Sequence, residues 1–150
     1  MFLWSPLSFA QTNVLSVAPP EKLIVKAGAV ASAKLTVQLR PGYHCNSNKP
    51  SEDYLIPLKL TWVIQQGTPA PLEVADVTYP QPRLETYSFS KQPLSVYSGD
   101  FEIVTKFKVP ASAAVGTMVL SAKLHYQACN DRMCLQPKTV DISLPVDIVK

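Results

Sequence analysis

The chain has 150 residues and a formal net charge of +3, with 47% hydrophobic and 17% charged residues. That length suits one globular domain with its own core, and the composition is too apolar for a disordered chain. The charge is modest and no run of Lys or Arg stands out, so nucleic acid is not an expected partner.

The first residues, MFLWSPLSFAQ, are apolar but few. No apolar run reaches the roughly 18 residues of a membrane-spanning helix, so no spanning segment is expected. Ser8 and Ala10 are placed as the small residues of a signal-cleavage site before Gln11, though the basic start of a full signal is missing. Residues 1–10 read as the remnant of an export signal or as a disordered stub, ahead of a single domain over 11–150. Export would put the cysteines in an oxidising compartment.

Beyond that point apolar residues alternate with polar ones, the period of a half-buried strand. Leu35, Val37 and Leu39 form one run. Leu58, Leu60, Trp62 and Ile64 form another. Phe101, Ile103, Thr105, Phe107 and Val109 form the third, and Leu120, Ala122, Leu124 and Tyr126 the fourth. The cleanest is Val140, Ile142, Leu144, Val146 and Ile148. Turn signals separate the runs at Arg40-Pro41-Gly42, Gly67-Thr68-Pro69, Ser98-Gly99-Asp100 and Val115-Gly116. No amphipathic helix, internal repeat or low-complexity segment is evident. Seven or more short strands with such punctuation predict an all-β fold, an immunoglobulin-like antiparallel β-sandwich. Pro145 falls on the outward face of the last strand, which predicts an edge strand or a bulge there.

Two stretches do not read as strands. Residues 42–57 (GYHCNSNKPSEDYLIP) are polar, and residues 80–99 (PQPRLETYSFSKQPLSVYSG) are proline-punctuated and rich in aromatics. Long loops on a rigid sandwich commonly carry function.

The segment LHYQACNDRMCLQPKTVDISLPVDI reads as a β-hairpin with Cys129 and Cys134 at its tip. A disulfide between them would close a loop of only six residues, which constrains the unfolded chain by only about 2 kcal/mol. A redox pair and a structural bond are both open readings of it. The register is informative. Facing residues of an antiparallel ladder share a side, and both flanking strands point even-numbered residues inward. Facing positions must then sum to an even number, but 129 and 134 do not. The spacing predicts a break between the cysteines and the regular strands, with Pro137, which has no N–H, as its place.

Neighbouring residues offer other chemistry. His125 is four residues from Cys129, roughly 13 Å along a strand, and reads as a surface or cross-strand residue. Asp131 would oppose a thiolate and Arg132 would favour one; both also read as solvated turn residues. Cys45, beside His44, is either a buried free thiol, a third redox thiol or part of a soft-metal site. Adjacent residues on a strand point to opposite faces, which argues against His44 and Cys45 sharing one metal.

The run YQACNDRMCLQPKTVDISLPV, with PGYHCNSNKP upstream, resembles the N-terminal periplasmic domains of the thiol:disulfide interchange protein DsbD family. The resemblance covers most of the chain after about residue 15 and is densest at Tyr126-Gln127-Ala128-Cys129, Cys134 and Pro137-Lys138-Thr139. It implies a sandwich carrying a redox-active cysteine pair and no cofactor. Cys134 would form the mixed disulfide with partners and Cys129 would resolve it. A cap loop would cover the pair, with Phe89 as its aromatic and Tyr87 as the second candidate. Electrons would come from a thioredoxin-like donor and pass to a periplasmic disulfide isomerase or a cytochrome c maturation thioredoxin. The CxxxxC spacing is one residue shorter than in the best-known members, and Cys45 lies outside the family's redox motif. Two other readings stay open: an immunoglobulin-like binding module with a structural disulfide, and a periplasmic copper module using Cys129, Cys134 and His44 or Cys45.

Overall fold

The computed structural model describes residues 13–64 and 71–150. The expected signal remnant at residues 1–10 and the Gly67-Thr68-Pro69 turn lie outside them. In chain order the strands are β1 (Leu15–Val17), β2 (Leu23–Lys26), β3 (Val30–Leu39), β4 (His44–Asn46), β5 (Lys59–Val63) and β6 (Glu73–Thr78). They continue with β7 (Arg83–Glu85), β8 (Leu94–Ser98), β9 (Asp100–Lys108), β10 (Gly116–Tyr126), β11 (Ala128–Cys129) and β12 (Lys138–Val149). Three four-stranded sheets result, ordered β1-β3-β9-β6, β2-β12-β10-β5 and β11-β4-β8-β7. The first two are the layers of the immunoglobulin-like sandwich, and every alternating run read from the sequence lies in or beside one of their strands.

The alternation explains the layers. In β9, Ile103, Thr105 and Phe107 point inward and are fully buried, while the residues between them face outward or are half-covered. Leu120, Ala122, Leu124 and Tyr126 of β10 do the same opposite Leu144 and Ile142 of β12. Burying an aromatic or aliphatic side chain of this size stabilises the fold by about 1.5–3 kcal/mol. The polar exception, Thr105, is satisfied: its Oγ1 accepts a 3.0 Å hydrogen bond from Trp62 Nε1, which joins the two layers. Trp62 also meets Phe107 edge to face, with ring centroids 5.0 Å apart.

Two expectations are corrected. β12 is not an edge strand, because β10 flanks it on one side and β2 pairs with it in parallel from Val146 to Val149 on the other. Its register with β10 runs without a bulge from Gly116↔Ile148 to Tyr126↔Lys138. Pro145 is accommodated because β2 begins pairing only at the following residue. The bulge is in β6 instead, between Val74 and Asp76.

The second correction concerns the two stretches that do not read as strands. They supply β4, β7 and β8, which with β11 make the third sheet. β4 and the first four residues of β8 are buried on both faces, so no polar–apolar alternation marks them. Their links to the sandwich are short. Gly99 alone separates β8 from β9, with φ of +69°, a left-handed turn that side-chain-bearing residues rarely adopt. Gln127 alone separates β10 from β11. The third sheet is thus an extension of the sandwich strands beyond one end of the core.

Candidate functional site

Register places the side chains of the third sheet. Ala128 faces Cys45, which faces Tyr97. All three are buried in the core cluster that also holds Leu35, Leu124 and Tyr126. The next row has the opposite orientation: Cys129 faces His44, which faces Ser98. Cys134 extends this row as the bridge partner of Cys129. Cysteine pair and histidine therefore share the side of the sheet turned away from the core.

Cys129 and Cys134 form a disulfide, with Cα atoms 3.9 Å apart. The Asn130 N–H donates to the Met133 carbonyl at 2.9 Å, and the Leu135 N–H donates to the Ala128 carbonyl at 2.8 Å. These bonds flank the cysteines, which face each other as a non-hydrogen-bonded pair, the closer of the two antiparallel arrangements. Asn130 Oδ1 accepts from the N–H groups of Arg132 and Met133 at 2.9 Å and fixes the turn. The register does shift by one, as the parity argument requires. Pairing with β10 stops at Tyr126↔Lys138, and the tip resumes one residue out of step, with Gln136 and Pro137 on the longer side. Gln127 Nε2 donates to the Leu135 carbonyl across the break at 3.1 Å.

The two cysteines differ in access. Cys129 is 2% exposed, whereas Cys134 is exposed. Met133 beside it is 57% exposed.

The loop after β7 lies over this row. Ser88 and Phe89 form a turn closed by the Ser90 N–H donating to the Tyr87 carbonyl at 3.0 Å. Ser88 Oγ donates to the Asp131 carbonyl at 2.8 Å, tying the loop to the hairpin tip. The Tyr87 ring stacks on His44 with centroids 3.9 Å apart, and Phe89 stacks on Tyr87 at 5.5 Å. Phe89 is 42% exposed and borders an open hollow of about 450 Å³ lined also by Tyr54, Lys91 and Leu94. The structure thus brings Cys129, Cys134, Tyr87 and Phe89 to one end of the molecule.

Of the other candidates, His125 and Cys45 separate from the site, while Asp131 and Arg132 stay in the hairpin tip. His125 is exposed on β10, and its Nδ1 lies 3.0 Å from Thr139 Oγ1 across the ladder. Asp131 and Arg132 are solvated turn residues. Cys45 is a free, fully buried thiol, and burial pushes its pKa up to about 12. It cannot serve as a ready thiolate, and it points away from His44. Among the described residues no group of three His, Cys, Asp or Glu side chains is placed to hold a metal ion.

Sequence reading grouped His44 with the cysteine pair only as an alternative to Cys45 in a copper site and gave no pairing of His44 with Cys129, because the two are joined only by pairing between distant strands. His44 is 4% exposed, and its Nε2 is buried with no hydrogen-bond partner among the described residues. The polar run after it is structural. Asn46 Nδ2 donates to the Ile56 carbonyl, Ser47 Oγ bonds Ser95 Oγ, and Tyr97 Oη donates to Asn48 Oδ1. The first ties the end of the loop back to β4, and the other two fasten the loop to β8.

The family model described as "Thiol:disulfide interchange protein DsbD, N-terminal" matches residues 13–145. No curated protein matches the chain by sequence. Among solved structures, the N-terminal periplasmic domain of ScsB from Proteus mirabilis is similar at a TM-score of 0.58 and 17% identity, over 94% of this chain and 49% of that one. The chain thus spans about half the length of that ScsB chain, and at this identity the likeness is one of fold. The reduced Neisseria meningitidis DsbD N-terminal domain aligns at a TM-score of 0.47 and 18% identity, over 81% of this chain and 82% of that one.

Proposed function

The chain belongs to the family of DsbD N-terminal domains, and from that premise we propose that it is a periplasmic disulfide reductase module whose Cys129–Cys134 pair relays electrons. A thioredoxin-like protein is the donor. The clients are periplasmic disulfide isomerases or thioredoxin-like proteins of cytochrome c maturation.

In the reduced form the Cys134 thiolate attacks a client disulfide. A bond forms between Cys134 Sγ and one client sulfur, the client S–S bond breaks, and the other client sulfur leaves as a thiolate. The Cys129 thiolate then attacks Cys134 Sγ. The mixed disulfide breaks, the second client sulfur leaves, and Cys129–Cys134 is oxidised by two electrons as the client is reduced. The donor restores the dithiol by the same steps in reverse.

The observation that carries this assignment is the difference in access: a partner reaching the pair from solvent meets Cys134, while Cys129 is covered. Tyr87 and Phe89 act as the cap, and Phe89 with Met133 offers an apolar rim to a docking partner.

Trapping tests the roles. Cys129→Ser accumulates mixed disulfides with client proteins, and Cys134→Ser accumulates none, as read by non-reducing gels and mass spectrometry. The reverse pattern would exchange the two roles. The pair's reduction potential tests the activity itself. A value of about −180 to −270 mV, the range of exchange proteins, fits a cycling dithiol; one below about −300 mV marks a structural bond and removes the proposal.

A further inference from the structure

His44 is a buried titratable side chain that the exchange steps above leave without a task. It faces Cys129 across the β4–β11 pair. Facing residues of an antiparallel pair carry Cβ atoms about 4.5–5.5 Å apart, a gap that an imidazole and a thiol can close. Tyr87 stacks on one side of its ring at 3.9 Å and holds it in place. Its Nε2 is shut off from solvent and has no partner among the described residues while the cysteines are joined as a disulfide. Such an orphaned polar atom is costly, and reduction of the disulfide creates a thiol on the residue that faces His44, able to supply a hydrogen bond.

Resting on the exchange reading, we propose that His44 is the proton acceptor of the resolving step, taking the Cys129 thiol proton on Nε2. The Cys129 thiolate so formed makes the bond to Cys134 Sγ. The bond between Cys134 and the client breaks, the client sulfur leaves with the electron pair, and the imidazolium returns the proton to it. No further oxidant or reductant enters.

The surroundings keep the ring unprotonated before the step. Burial lowers the His44 pKa, against smaller upward pulls from Asp131 in the hairpin and Glu85 on β7. The other groups facing it are Tyr87 and Phe89 from the loop, Cys129 from β11 and Ser98 from β8. The ring is therefore neutral near pH 7 and free to accept. A thiol of ordinary acidity is only about 3% ionised at that pH, so a neighbouring base can speed resolution by up to about 30-fold.

The test mixes the reduced chain with oxidised glutathione and follows the Cys134–glutathione mixed disulfide by acid quench and mass. H44F keeps a flat ring for Tyr87, and H44Q keeps a hydrogen-bonding group without a base. In both, the mixed disulfide forms within about twofold of the wild-type rate, but its resolution at pH 7 slows about tenfold or more. The deficit closes as the pH approaches about 9, where the thiol ionises unaided. Unchanged resolution at pH 7, or slowing by one constant factor at every pH, overturns the role of His44 and leaves the exchange reading standing. Absence of any mixed disulfide in the wild type overturns both.

Discussion

Strands β10 and β12 pair over eleven consecutive positions, whereas β11 pairs with β4 over two. The long ladder closes a core of Leu, Ile and Val, and each of its strands has one wet face. The short one lies in a sheet whose strands are two to five residues long and whose outer face is partly covered by the Tyr87–Ser90 loop. The contrast divides the labour. The sandwich supplies stability by apolar burial. The third sheet gains order by being continuous with sandwich strands through Gly99 and Gln127, which leaves its outer face available for a buried histidine and a disulfide. Sites assembled in this way are stiff below and yielding above, since only a loop stands between them and solvent.

The division can be broken from either side. The largest effect is expected in the sandwich. Phe107 is fully buried and packed on Trp62, so Phe107→Ala should cost about 3–5 kcal/mol in denaturant unfolding. The reduction potential of the cysteine pair should stay put. A shifted potential would show that core and site are coupled and that the division is false. A smaller loss should come from removing the disulfide. With a sequence separation of 5 between the cysteines, its absence costs about 2 kcal/mol or less. The reduced chain should keep its β-sheet circular dichroism and unfold cooperatively. Unfolding on reduction would mean that the bond supports the fold.

The same contrast decides what the sequence reveals. The sandwich is legible because its strands are long and half-buried, so period-2 alternation marks Phe101 to Val109 and Val140 to Ile148 directly. Even the break near Pro137 follows from parity, because it needs only the register of one local hairpin. The third sheet is hidden for two physical reasons. β4 and most of β8 are buried on both faces, so they lack alternation. Their partners are also distant in the chain: β4 pairs with β8 and β11, both far along the sequence from it. The spacing of Cys129 and Cys134 is visible at once, but the adjacency of His44 to Cys129 is a product of that non-local pairing. Pro145 misleads for a related reason. A proline does argue against a second neighbour, yet β2 avoids it by starting one residue later.

The smallest effect is the most discriminating, because it touches the loop and nothing beneath it. Ser88 Oγ makes the one side-chain hydrogen bond from the Tyr87–Ser90 turn to the hairpin among the described residues. A typical hydrogen bond of this kind contributes about 1 kcal/mol, so Ser88→Ala should raise the fraction of open loop about fivefold while the midpoint of global unfolding barely moves. The two thiols of the reduced chain should report this unequally. Cys129, buried on the covered face, should alkylate about fivefold faster, and exposed Cys134 should hardly change. Equal acceleration of both thiols would mean that the whole hairpin loosens. No acceleration of either would mean that the stack of Tyr87 on His44 holds the loop without help from the serine, and that the aromatic contact is the latch a partner has to displace.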